Sequence, residues 1–203
     1  MAIEKIFFRQ VMGHFTTGVT IVTTSSKGVL AGLTVNSFCS VSLEPPLVLI
    51  CVDLHSSTLP MFRESGVFAV NMLTEEQEEL SRCFATPNKD RFGAFCHAPN
   101  YTVATGAPVL TDVLAFVDAR IVAEYPGGDH AIFLGQVEAI GFEGKVLFIN
   151  EEDSQLYHQS GRNGHTAIRN EKPLAYYRGQ YRRIGDNYRV PSLAVPPRKE
   201  ESV

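Results

Sequence analysis

Four stretches of the sequence carry polar side chains in arrangements that could bind a ligand. In Gly32–Ser42 an apolar run ends in Thr34, Asn36, Ser37, Ser40 and Ser42, whose hydroxyl and amide groups could serve a polar ligand. The plainer reading is a polar turn between strands. In Asp53–Pro60 an apolar run gives way to His55, Ser56, Ser57 and Thr58, then to a short helix with Pro60 in its first turn. Free N–H groups and a positive dipole end suit a phosphate there; alternatively Ser57 or Thr58 simply caps the helix. Pro126–His130 is a glycine-rich hairpin with a histidine, either turned to a ligand or merely exposed. Pro173–Arg182 sets Arg178 beside tyrosines. A guanidinium so placed can hold an anion or stack on a flat ring, unless the run is only an amphipathic edge strand.

Other chemistries are excluded by missing spacings. No G-x-G-x-x-G follows a strand, so a Rossmann-type dinucleotide fold is unsupported. There is no phosphate-binding P-loop, no hydrolase elbow and no H-E-x-x-H zinc motif. Cys39, Cys51, Cys83 and Cys96 form no C-x-x-C pair and read as small buried hydrophobes, with no metal site expected. The 203 residues carry 18 Lys+Arg against 22 Asp+Glu, a net charge of −4. That balance offers no basic face for nucleic acid. The longest apolar run, Leu47–Val52, is far short of the roughly 20 residues that span a bilayer. Glu4, Lys5 and Arg9 interrupt the first apolar stretch, so no signal peptide is read and a cytoplasmic location is expected.

Strands must position these groups. Ile3, Ile6, Phe7, Val11, His14 and Phe15 share one face of a helix over 3–15. The β-branched run Val19–Thr24 and the run Val29–Val35 predict a strand pair. Leu47–Val52, after Pro45-Pro46, predicts a strand buried on both sides, and Val67–Leu73 predicts another. Thr74 and Gln77 spell a capping box for a helix to about Phe84. A long polar loop passes Pro87, Asn88, Pro99 and Gly106. Strands resume at Ala115–Ala123, Ala131–Phe142 and Val146–Ile149. Residues 150–170 form a polar excursion, and Leu174–Tyr177 with Tyr181–Ile184 a closing hairpin. Many strands without a βαβ alternation predict a mainly β, antiparallel barrel-like domain with a few flanking helices. It covers 1–184, followed by a proline-rich tail over 185–203.

The order and wording of Phe15–Thr23, Ser42–Leu49, Phe68–Leu73, Gly127–His130 and Tyr176–Tyr181 resemble the short-chain flavin reductase family. The likeness runs from about Phe8 to Ile184. It implies a Greek-key split β-barrel and an NAD(P)H:flavin reductase activity. Such enzymes supply free reduced flavin to a separate oxygenase acting on an aromatic compound, 4-hydroxyphenylacetate among them. The implied cofactors are FAD or FMN, with NADH preferred over NADPH, and the implied assembly is a homodimer with the flavin at the subunit interface. By position, Thr34, Val35, Asn36, Ser37, Phe38, Ser40 and Val41 would line the isoalloxazine and ribityl chain. His55, Ser56 and Ser57 would hold the flavin phosphate, with Met61, Phe62, Asn88 and Lys89 as weaker contacts. His130 would act at the nicotinamide, and Tyr176, Tyr177, Arg178 and Gly179 would face the nicotinamide nucleotide. Two other readings stay open: a split-barrel flavoprotein acting directly on a small substrate, and a non-catalytic flavin carrier or sensor.

Overall fold

The computed structural model of the chain describes residues 3–86, 94–142, 145–150 and 172–185. Helix α1 (Lys5–Met12) leads into the short strand β1 (Thr17–Gly18). The hairpin of β2 (Thr20–Ser26) and β3 (Val29–Val35) follows, then β4 (Cys39–Leu43) and β5 (Pro46–Asp53). Helix α2 (Leu59–Ser65) precedes β6 (Val67–Met72), and a 3-10 turn (Glu75–Gln77) opens helix α3 (Glu78–Ala85). After the turn Phe95–His97 come β7 (Asn100–Thr102), β8 (Pro108–Leu110), the long hairpin of β9 (Ala115–Gly127) and β10 (His130–Phe142), and β11 (Lys145–Phe148). The hairpin of β12 (Leu174–Tyr177) and β13 (Gln180–Arg183) ends the described chain.

The main sheet runs β3-β2-β6-β9-β10-β5-β4, with β11 paired to β10. Every pairing is antiparallel, as the sequence predicts. Its outer strands β3 and β4 do not pair with each other among the described residues, in keeping with a split rather than a closed barrel. A small sheet, β1-β12-β13, is tied to the main one through Val19, which donates to the Leu174 carbonyl at 3.1 Å and accepts from Leu73 at 3.1 Å.

The central strands are apolar at consecutive positions because both of their faces are covered. Successive side chains on a strand point to opposite faces. Ile21, Ala69 and Phe116 therefore join one core with Phe84, Phe95 and Leu174. Their neighbours Val22, Val70 and Val117 join a second core with Ile50, Phe62 and Phe133. Strand β5 departs from its expectation. Val48, Ile50 and Val52 are buried, whereas Leu47, Leu49 and Cys51 on the opposite face are half-buried. Only one face of β5 looks into a core, since it lies near the edge of the sheet.

Three further expectations are corrected. The long loop after α3 is not merely polar: Ala98, Ala107, Val109, Leu110 and Val113 are buried in the first core. Fully buried Asn71 holds that segment down, accepting from Leu110 N–H at 2.8 Å and donating to the Ile21 carbonyl at 3.0 Å. The cysteines are not four lone hydrophobes. Cys83 and Cys96 form a disulfide, because α3 and the Phe95–His97 turn cross the same core, and Cys39 is exposed. The helix over 3–15 is shorter, ending at Met12, and none of its residues is buried. At the capping box, the Gln77 side chain accepts from Thr74 N–H at 3.1 Å. The excursion over 151–171 and the tail beyond 185 lie outside the described residues.

Candidate functional site

Strand register brings two of the four polar stretches to one end of the sheet. His130, at the start of β10, pairs with Asp53 at the end of β5 and with Gly127 on β9. The two loops are stitched together by Leu54 N–H, which donates to the Asp129 carbonyl at 3.0 Å. Gly128 sits at φ +75°, a conformation that glycine adopts at no steric cost. Each histidine then meets a carboxylate. His130 Nδ1 lies 2.7 Å from Asp129 Oδ1, and His55 Nδ1 lies 3.2 Å from Asp53 Oδ1. With Nδ1–H donating, each ring keeps Nε2 for a ligand. The hydrogen bond from His130 holds the Asp129 carboxyl below its usual range. Asp53 is also lowered, first by the backbone N–H of His55, at 2.7 Å, and then by the two imidazoles. Both acids are therefore anionic near neutral pH.

The Asn36–Ser40 run crosses the adjoining part of β5. The Ser37 hydroxyl donates to the Cys51 carbonyl at 3.0 Å and accepts from Cys51 N–H at 3.3 Å. Asn36, Ser40 and Val41 are exposed, and Val35 and Phe38 are half-buried against the second core. The Ser56 hydroxyl accepts from Thr58 N–H at 3.3 Å, so this hydroxyl shapes its own turn, while Ser57 is exposed. Met61 is half-buried. Phe62 is corrected: its side chain is fully buried, its ring centroid 6.0 Å from that of Phe133, because Leu59 and Phe62 form the inner face of α2. Asn88 and Lys89 lie outside the described residues.

The β12–β13 hairpin carries the fourth stretch and splits it between two neighbours. Tyr176 and Tyr181 stand edge to face at 5.5 Å and, with Val19, Thr34, Val35, Asn36 and Ala85, line a pocket of about 200 Å³. Helix α3 braces this pocket. The Ser81 hydroxyl lies 2.8 Å from the Tyr181 hydroxyl, the Ser81 carbonyl accepts from Thr34 at 2.6 Å, and Arg82 covers the Tyr181 ring at 4.8 Å. Tyr177 and Arg178 instead meet His14, just beyond α1. Arg178 Nη2 lies 3.3 Å from His14 Nε2, and the Tyr177 hydroxyl lies 3.5 Å from His14 Nδ1. Sequence reasoning missed Ser81, Arg82 and His14. Spacing set His14 on an apolar helix face, and the capping box drew attention to the start of α3 rather than to its polar side.

The arrangement offers a pocket with aromatic and polar walls, suited to a planar heterocycle, beside a loop cluster with two imidazoles. Among the described residues, no group of three or more His, Cys, Asp or Glu could hold a metal ion, and no helix is long and apolar enough to cross a membrane.

Comparison with known proteins places the chain among its relatives. A family described as "Flavin reductase like domain" matches residues 12–185. The reductase subunit HsaB of a flavin-dependent monooxygenase from Rhodococcus jostii (strain RHA1) is 35% identical over 192 residues, covering 94% of this chain and 84% of that relative. Among solved structures, nitrilotriacetate monooxygenase component B from Mycobacterium thermoresistibile superposes with a TM-score of 0.76 at 29% identity, covering 98% of this chain and 95% of the other. An NADH:FAD oxidoreductase from Streptomyces globisporus C-1027, solved with NAD and FAD fragments, gives 0.71 at 31% identity, covering 91% and 94%.

Proposed function

The chain belongs to the flavin reductase like domain family, and from that premise we propose that it takes hydride from NADH, delivers it to free FAD or FMN, and releases the reduced flavin to a separate oxygenase. The oxygenase partner is proposed from relatives named as the reductase subunit of a flavin-dependent monooxygenase and the reductase component of a 4-nitrophenol 4-monooxygenase. An aromatic substrate for that partner, a cytoplasmic location and a homodimer belong to the same proposal. NADH plus a proton plus oxidised flavin gives NAD⁺ and reduced flavin, so atoms and charge balance.

The observation that supports this reading is the meeting of Tyr176 and Tyr181 with Thr34–Asn36 in one pocket. Flavin supplies the hydride-accepting ring when it is bound. The protein's own work is positioning, since hydride transfer needs reacting atoms held about 3–3.5 Å apart. Asn36, Phe38, Ser40 and Val41, with Thr34, Val35 and Ser37, are assigned to the flavin ring and ribityl chain. The Thr34 and Ser37 hydroxyls are already engaged by the protein, so they shape the wall rather than donate to a ligand. His55 and Ser57, with Ser56 and Met61, are assigned to the flavin phosphate end. His130 is assigned to the nicotinamide, where Nε2 can orient the carboxamide or stabilise charge on the reduced flavin. Tyr176, Tyr177, Arg178 and Gly179 are assigned to the nicotinamide nucleotide.

The test is steady-state NADH oxidation with and without added free flavin. Turnover should rise in proportion to added FAD or FMN until saturation. NADH oxidation that needs no added flavin, or none at any flavin concentration, would reject the proposal.

A further inference from the structure

The wall of the tyrosine pocket and the disulfide share helix α3. The Ser81 hydroxyl lies 2.8 Å from the Tyr181 hydroxyl, Arg82 covers the Tyr181 ring at 4.8 Å, and Ala85 lines the pocket itself. Between Arg82 and Ala85 in the chain, Cys83 is bonded to Cys96. We propose that the Cys83–Cys96 pair is a redox switch on this pocket. Closed, it holds α3 against Tyr181 and the flavin ring is bound firmly. Opened by a small dithiol, it lets α3 ease away and the ring is held more weakly. The ligand in this statement rests on the function proposed above.

The far end of the bond is a segment poised to relax. Phe95, Cys96 and His97 sit at φ +49°, +51° and +54°. Left-handed backbone is uncommon for residues with a Cβ, and three in succession persist only where the surroundings impose them. The imposing contacts are the bond itself and the Phe95 ring, which stands edge to face on Phe84 at 5.1 Å. Phe84 in turn presses on β3 so closely that a Cβ at Gly32 would lie 2.8 Å from its ring. Two residues along β3, Thr34 donates to the Ser81 carbonyl at 2.6 Å. Opening the bond releases the turn, and the release reaches Thr34 and Tyr181 through Phe84 and Ser81.

Both cysteines are half-buried, within reach of a small dithiol. In the cytoplasmic location proposed above disulfides are rare, and those present are usually catalytic or redox-sensing. In the opening step a thiolate of the dithiol attacks one sulfur, the Cys83–Cys96 bond breaks and a mixed disulfide forms. The reductant's second thiolate then displaces the protein sulfur. Two electrons and two protons end on the Cys83 and Cys96 thiols, and the reductant leaves as its own disulfide. Hydrogen peroxide closes the bond again. It converts one thiol to a sulfenic acid with loss of water, and the other thiol condenses with that acid with loss of a second water. Free reduced flavin makes peroxide when it gives two electrons and two protons to oxygen, so the oxidant arises when reduced flavin goes unused.

The test follows the fluorescence of free FMN and FAD at equilibrium with the oxidised, dithiol-reduced and peroxide-reoxidised protein, each below its melting temperature. The reduced form should bind flavin roughly threefold or more weakly, the scale of one lost hydrogen bond. Reoxidation should restore the affinity. Hydrogen exchange over Glu78–Ala85 and Phe95–His97 should quicken on reduction and slow again on reoxidation. Cys83→Ser with Cys96→Ser should bind like the reduced form under all three conditions, although Cys39 and Cys51 remain free to react. In Ser81→Ala the oxidised form should already bind weakly, and reduction should change it by a smaller factor, which a purely stabilising bond would not produce. Equal flavin affinity in the oxidised and reduced wild type overturns the switch, as does a redox effect undiminished in Ser81→Ala. Flavin bound in neither form rejects the proposed function along with the switch, so the wild-type titration tells the two failures apart.

Discussion

His130 is the residue on which the proposed chemistry leans most. Its backbone register with Asp53 and its Nδ1 contact with Asp129 fix the ring at the mouth of the loop cluster, with the side chain 41% exposed. Removing one hydrogen-bonding group should cost about 0.5–1.5 kcal/mol, or roughly 2- to 13-fold in NADH-dependent flux. We expect His130→Ala to slow flavin reduction by that factor in stopped-flow experiments while flavin affinity changes far less. A wild-type rate and NADH dependence would make His130 an ordinary turn residue. A larger loss would point to transition-state electrostatics. His130 and the tyrosine run were legible because glycine pairs and aromatic-arginine clusters are local patterns. The contacts that complete the site were not. Ser81 meets Tyr181 across 100 positions and His14 meets Arg178 across 164, and no window of sequence records a pairing of that kind. Phe62 misled for a related reason: its neighbours on α2 face outward, but its own side chain falls one helical turn from Leu59, on the buried face.

At the level of elements, two devices hold the long segment between α3 and β9 onto the core. The first is the disulfide joining Cys83 at the end of α3 to Cys96, a separation of 13 positions. A cross-link closing a loop of that size is worth about 3 kcal/mol in the chain-entropy model. For a domain of this length that corresponds to a fall in Tm of roughly 6–12 °C on reduction. Cys83→Ser with Cys96→Ser should melt at the same lowered temperature with or without reductant. Identical Tm for oxidised wild type and the double variant would show that the bond contributes nothing. The second device is Asp118 on β9, which is fully buried. Its carboxylate accepts from Ala104 N–H at 2.8 Å, from Thr105 N–H at 2.9 Å and from the Thr105 hydroxyl. Burial pushes its carboxyl up despite those donors. A raised folded value means that the folded state holds the proton more tightly. The stability contributed by this group is therefore greatest below about pH 4, near the unfolded value, and is lost as pH rises through the folded one. Denaturant titrations across that range should show the decline in wild type and its absence in Asp118→Asn; parallel curves would contradict it. The main strands were legible because Thr20–Thr24 of β2 is β-branched throughout and β6 and β9 carry apolar residues at consecutive positions. Strands β7 and β8 were not, since they are three residues each, set among the Pro, Asn, Thr and Gly residues that ordinarily mark a loop. The disulfide was equally hidden, as cysteines without paired spacing leave no local sign of which thiol will meet which.

For the molecule as a whole, the unresolved matter is what covers its apolar surface. Phe142 is 60% exposed and Leu147 64%, on the paired ends of β10 and β11. Beside them Met72, Phe116 and Ile140 line an almost wholly apolar groove of about 360 Å³. Helix α1 and the residues flanking it add Ile3, Phe7 and Phe15, all exposed. Soluble monomers rarely leave large contiguous apolar patches bare. A stable homodimer needs about 1,200–2,000 Å² of buried surface, with an apolar centre and a polar rim. The β10–β11 face has that character, with Lys145 at its margin. We therefore expect a dimer at micromolar concentration by light scattering. Introducing two buried charges with Phe142→Glu and Leu147→Glu should shift the species to monomer, because neither carboxylate would find a partner in an apolar interface. Both side chains are solvent-facing in the single chain, so the variant should keep its fold and its circular dichroism. If the flavin groove lies between subunits, the monomeric variant should also lose flavin affinity, and turnover should then recover at high flavin concentration or not at all. A variant that stays dimeric would move the interface to α1 or to the half-buried face of β5. A wild type that is monomeric at micromolar concentration would end the dimer proposal altogether.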